Sequence, residues 1–162
     1  MENKFKEAEK FRYLILASQR QGNRIYKDLL FEIGVTPSKA EVISILMKYQ
    51  PMSLKELGAM LICESGSPSR LVERMVKDKL VERVKEKNDS RFVRLQLTSL
   101  GIDKYKLIVK AENQMYKILE EVYTEDELQL ANQVLSRFLL ESPLSSNLIK
   151  RGYIHKSRDN MK

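Results

Sequence analysis

The sequence has one cysteine, one histidine and no tryptophan. Nor does any apolar run approach the length of a bilayer span, because Lys, Arg, Asp or Glu interrupt every stretch. The lone Cys63 excludes an internal disulfide, and with His155 far away in sequence the two cannot make a transition-metal site alone. A Ser-His-Asp or Cys-His arrangement has to recruit His155 near the C-terminus, and there is neither a Gly-x-Gly-x-x-Gly nor a P-loop. The expectation is a protein that is not an enzyme and takes no cofactor and no metal. The start, Met1-Glu2-Asn3-Lys4, lacks the apolar stretch of a signal peptide, which together with the single cysteine points to the cytoplasm and away from a membrane.

What is present is charge, unevenly spread. The net charge is +7. Residues 51–100 carry 10 basic and 7 acidic groups, residues 101–142 carry 5 and 8, and residues 143–162 carry 5 and 1. A basic middle joined to an acidic helical segment suits a nucleic-acid binder with a separate assembly region. A solvated surface with a mild lysine excess is the equal alternative at this level.

Apolar spacing divides the chain. Phe5, Ala8, Phe11, Ile15, Ser18, Gly22, Ile25 and Leu29 recur at helical steps, predicting one long helix over 5–31. Gly34 ends it; Thr36 and Pro37 then supply an N-cap and a first helical residue for a helix over 38–49, which Pro51 stops. Ser53 and Glu56 form a capping box for a short helix ending near Leu61, and another helix spans 68–79. Alternation over 80–86 and 92–97, with Asn88-Asp89-Ser90 between, predicts a hairpin. A long helix covers 99–122, and a capping box at Thr124 and Glu127 opens a last one through Leu140. Beyond Pro143 the pattern dissolves, so residues 142–162 read as a basic tail. The fold class is mainly α (α+β). A winged helix-turn-helix core over 35–98 is flanked by residues 1–34 and 99–141, whose long helices need a second copy of the chain to bury against. Ile108, Ala111, Met115, Ile118 and Val122 are spaced as a heptad seam for that purpose.

On the 68–79 helix, at about 100° per residue, Arg70, Arg74 and Lys77 share one face while Leu71, Val72, Met75 and Val76 take the other. That division suits docking on a core while offering cations to the major groove of DNA. Ser65, Ser67 and Ser69 lie at its start, where small donors and free backbone N–H groups favour phosphate. In and beside the hairpin sit Arg83, Lys85, Lys87, Arg91 and Arg94, and Asp89 is placed to hold the Arg91 guanidinium.

These stretches resemble the MarR (multiple antibiotic resistance regulator) family from about Val35 to Gly101. The matching runs are Thr36-Pro37-Ser38-Lys39-Ala40-Glu41, Met52-Ser53-Leu54-Lys55-Glu56-Leu57, Arg70-Leu71-Val72-Glu73-Arg74-Met75, Leu80-Val81-Glu82-Arg83, Asp89-Ser90-Arg91 and Leu97-Thr98-Ser99-Leu100-Gly101. The resemblance implies a homodimer on a pseudo-palindromic operator in double-stranded DNA, the wing arginine carrying over to Arg91 and its acidic partner to Asp89. A repressor released by a small, aromatic acid-like effector is the expected form. An effector pocket between dimer region and winged domain is implied, with Tyr13, Arg20, Arg24, Tyr26, Met47 and Tyr49 as candidate lining; the plain alternative is packed aromatics and solvated arginines. Gly66 and Pro68 depart from the family pattern, which puts a shorter recognition helix or a shifted start in prospect. Cys63 sits before that helix, where a positive helix end lowers a thiol pKa. Oxidation-sensing relatives carry theirs near the first helix, so a small packed residue is the better reading of Cys63. The competing functions are a winged-helix protein–protein adaptor and a non-specific DNA-binding protein.

Overall fold

The computed structural model describes residues 4–63, 66–86 and 92–155. The elements are α1 (Lys6–Phe31), α2 (Pro37–Tyr49), α3 (Leu54–Gly58), α4 (Pro68–Lys77), β1 (Val81–Lys85), β2 (Val93–Leu97), α5 (Ser99–Val122), α6 (Glu125–Leu139) and α7 (Ser145–Lys150). Their boundaries follow local chemistry. Gly34, at a positive φ of 74°, closes α1 by accepting the left-handed conformation that a side chain resists. Thr36 caps α2 through the Lys39 N–H, with Pro37 at the first helical position. Both predicted capping boxes form, Ser53 with Glu56 and Thr124 with Glu127.

One core joins the short helices, the hairpin and the middle of the long ones. Leu30, Ile43, Leu46, Leu57, Leu71, Met75 and Ile108 are fully buried in it. β1 and β2 pair antiparallel, Val81 opposite Leu97 and Lys85 opposite Val93. Val81, Leu95 and Leu97 close the base of the hairpin onto the core, while Lys85 and Val93 farther out stand in solvent. The sequence reading missed one link: Met52 exchanges both backbone hydrogen bonds with Leu95, extending the hairpin by a single bridging residue. A single residue between Pro51 and the Ser53 cap carries no alternation from which a strand can be read.

Two expectations need correction. Ile108 and Ala111 are buried within one chain, in the core beneath α1 and α2, so they are already covered and cannot form a seam to a second copy. Met115 and Ile118 are half-buried, and only Val122, 65% exposed, stands open. The C-terminal segment is not a featureless tail as far as residue 155: α7 forms, Asn147 donates to the Leu61 carbonyl at 2.7 Å, and Ile154 is buried. The remaining residues, 156–162, lie outside the described residues. No helix among the described residues is long and apolar enough to cross a membrane.

Candidate nucleic-acid interface

The geometry of α4 comes from three local choices. Ser67 caps the helix by accepting the Arg70 N–H at 3.4 Å, and Pro68 takes the first helical position. Gly66 and Pro68 therefore set the start at Pro68, within the predicted range. Leu71, Val72 and Met75 then anchor one face in the core, which leaves Ser69, Arg70, Arg74 and Lys77 exposed on the other. Among the described residues these three cations have no ion-pair or hydrogen-bonding partner for their side chains. The Ser67 and Ser69 hydroxyls stand 2.8 Å apart at the N-terminal end. At the other end Lys39 of α2 pairs with Asp78 at 2.6 Å and braces α4 against the helix behind it. Ser65 lies outside the described residues.

Beside α4, Arg83 and Lys85 of β1 are exposed and likewise without an ion pair among the described residues. Lys87, Asp89 and Arg91 lie outside the described residues. Arg94 behaves differently from the expectation that it faces DNA. Its guanidinium donates to Glu56 at 2.7 Å and to Glu86 at 3.3 Å, tying the hairpin to α3. The Ser53 backbone N–H and hydroxyl, with Arg94, hold the Glu56 carboxyl below the usual range. A cation engaged by two carboxylates makes a brace and not a free phosphate contact.

The six candidate effector residues do not converge. Only Tyr26 lines a cleft of about 320 Å³, whose other walls include Ser44, Cys63, Glu112, Tyr116 and Arg151. Tyr26 donates to Glu112 at 3.1 Å; burial, then the nearby carboxylate, push its hydroxyl pKa up. Burial likewise raises Glu112. Arg24 lies two residues back along α1, about 200° round the helix, and is exposed, as is Arg20. Tyr13 is exposed beneath the Arg12 guanidinium, Met47 is exposed, and Tyr49 borders a separate depression with Pro51 and Lys150. Ser44, Glu112 and Arg151 escaped the sequence reading because they interrupt no pattern and match no motif. The Ser44 hydroxyl is buried without a partner among the described residues.

Cys63 contradicts the idea of an activated thiolate. The residue is exposed and not the packed one expected, but it lines the cleft, where burial and the Glu41 carboxylate push the thiol up to about 11. Below that value the protonated form dominates. Alkylation of Cys63 by iodoacetamide is expected to be slow at pH 7 and to quicken roughly tenfold per pH unit up to about pH 10. A rate that is already on its plateau at pH 7 contradicts this.

A family profile described as a winged helix DNA-binding domain matches residues 35–101. The chain is 30% identical over 104 residues to the organic hydroperoxide resistance transcriptional regulator of Bacillus subtilis (strain 168), covering 62% of this chain and 71% of that one. It is 24% identical over 130 residues to the HTH-type transcriptional regulator SarZ of Staphylococcus epidermidis, covering 80% and 86%. Among solved structures, a mutant MarR from E. coli complexed with operator DNA superimposes with a TM-score of 0.73 at 23% identity, covering 85% of this chain and 99% of that one. The organohalide-sensing RdhR regulator bound to 2,4-dichlorophenol gives 0.74 at 20%, covering 98% and 94%. The fold and the relatives are those of transcription regulators and not of enzymes. The chain belongs to the MarR family of winged-helix, DNA-binding transcription regulators.

Proposed function

We propose that the protein works in the cytoplasm as a homodimeric repressor on a pseudo-palindromic operator, with α4 in the major groove and the hairpin arginine Arg91, oriented by Asp89, in the flanking minor groove. The observation that carries this reading is the row of cations on α4, Arg70, Arg74 and Lys77, unpaired among the described residues and opposite an apolar face locked in the core. Dimer formation is supported by apolar surface that one chain leaves bare. Phe138 on α6 is 73% exposed, and Phe5 just before α1, Tyr13 and Leu14 on α1 and Leu130 on α6 are also exposed. α1 and the α5–α6 arm therefore form the assembly region, with the dyad spacing two copies of α4. Release by a small effector is supported by the cleft between α1, α2, α5, the 62–63 loop and Arg151, with aromatic walls and a Ser44 hydroxyl that has no partner among the described residues.

Footprinting on the DNA upstream of the protein's own coding region tests the reading. Two protected half-sites about one helical turn apart are expected, since a dimer sets half-site spacing by its own symmetry. A single protected patch, or uniform protection along the duplex, contradicts a symmetric dimer on a specific site.

A further inference from the structure

Glu41 stands out among the charged residues: on α2, 6% exposed, it is the one charged side chain buried among the described residues. A carboxylate in that position is costly unless its oxygens are fully engaged. Here they are. Glu41 accepts the backbone N–H of Ile62 at 3.0 Å and that of Cys63 at 2.8 Å. It also accepts Nη1 of Arg151, which comes from just beyond α7. The carbonyls of the same loop are held too: Leu61 by Asn147 at 2.7 Å, also from α7, and Cys63 by the Ser38 hydroxyl at 3.3 Å. The Arg151 guanidinium is itself fixed, 4.9 Å above the Tyr153 ring and donating to its hydroxyl at 3.2 Å. Buried Ile154 anchors the end of the segment. Thus the backbone of residues 61–63 is gripped through its N–H groups by one buried carboxylate and through a carbonyl by the C-terminal segment. Four residues later Ser67 caps the helix that presents Arg70 and Arg74.

We propose that Glu41, Arg151 and Asn147 are positioning residues for DNA binding: the C-terminal segment brackets the 61–63 loop and thereby fixes where α4 begins. The bracket rests on the reading of α4 as the recognition helix. Glu41 is the joint, because among the described residues it bonds both the loop and Arg151. Removing Arg151 leaves a buried carboxylate with two amide donors and no countercharge, so Glu41 turns toward water and drags or releases the loop. Arg151 acts from behind and does not reach phosphate. Its loss therefore lowers affinity without changing the number of counterions displaced.

The test compares the full chain with Arg151→Ala, Arg151→Lys and Asn147→Ala by amide hydrogen exchange without DNA, and by binding to the protein's own upstream DNA over a series of salt concentrations. Arg151→Ala is expected to speed exchange at Ile62 and Cys63 by at least about tenfold while Ile43 and Leu46 keep their protection. Its DNA affinity falls about tenfold, equivalent to about 1.4 kcal/mol, with an unchanged salt slope. Arg151→Lys, which keeps the countercharge, restores most of the protection. Parent-like exchange at Ile62 and Cys63, loss spread evenly through the core, no rescue by lysine, or a flatter salt slope overturns the proposal. Should Arg151→Ala fail to fold, Asn147→Ala decides it: faster exchange confined to 61–63 supports the bracket and parent-like exchange overturns it. Failure of the parent chain to bind DNA counts against the recognition-helix reading, and the exchange arm then still judges the bracket by itself.

Discussion

Replacing Arg70 and Arg74 together by alanine is expected to weaken binding to operator DNA by at least about a hundredfold, with the thermal midpoint of folding left within about 2 °C of the parent. The two guanidinium groups lie on the solvent side of α4 and hold no carboxylate among the described residues, so nothing inside the protein is lost with them. The helix itself is held by Leu71, Val72 and Met75, all buried, and by the Ser67 cap, which both substitutions leave intact. A well-placed arginine contact to a base edge is worth about 1–3 kcal/mol, and a symmetric dimer loses each contact twice. Singly, the variants separate roles. A substitution that lowers affinity on every sequence and flattens the salt slope removed a phosphate contact; one that relaxes preference at a single base pair removed a base contact. Arg94→Ala serves as the internal contrast. Because Arg94 ties Glu56 and Glu86, its loss loosens the hairpin and leaves the charge presented by α4 unchanged.

Gly101→Ala is expected to be the most damaging small substitution in the chain. Gly101 lies in the first turn of α5, its N–H donated to the Thr98 cap, and it is pressed against Leu80, just before β1, and Leu97 of β2. A Cβ there falls 2.2 Å from the Leu80 carbonyl oxygen and 3.2 Å from a Leu97 methyl. The oxygen is backbone and cannot rotate away; it also accepts the Thr98 N–H at 3.2 Å. The hairpin and α5 must therefore separate, which opens the core at Leu80, Val81 and Leu97. Overpacking of this kind costs about 3 kcal/mol or more, or about 6–12 °C in midpoint for a chain of this size. Denaturation followed by circular dichroism reads it directly, and a midpoint within about 2 °C of the parent contradicts the close approach. Gly22→Ala is the control on α1, where the nearest atom to a new Cβ is the Met115 terminal methyl at 3.7 Å, so the helix gains propensity and little else changes.

Wherever structure is decided within a few residues, the sequence was readable. Caps at Thr36, Ser53 and Thr124 act over three residues, and each forms as predicted. The two faces of α4 followed from helical spacing, because the hydrophobic and cationic sets do not overlap. Periodicity failed where it says only that a face is covered and not by what. The Ile108–Val122 seam repeats correctly, yet its first two members are covered by α1 and α2 of the same chain. In α1 the long stripe began at Phe5, but Leu30 is the one fully buried residue, and the first half of the helix is bare in a single chain. Contacts between distant residues were invisible. Glu41 and Arg151 are 110 positions apart, Arg94 and Glu56 are 38 apart, and neither pair has a spacing that marks it. Arginines in a basic hairpin all look alike in sequence; only the fold distinguishes Arg83, without an ion pair among the described residues, from Arg94, neutralised by two carboxylates.

Sequence-specific binding is tested most directly by titrating the protein into its own upstream DNA and into scrambled DNA of the same length at several salt concentrations. Preference for its own DNA by a factor of about a thousand or more, with affinity falling by about three decades between 50 and 200 mM salt, is the predicted result. Equal affinity for both DNAs, or no binding by a folded dimer at any salt concentration, contradicts it.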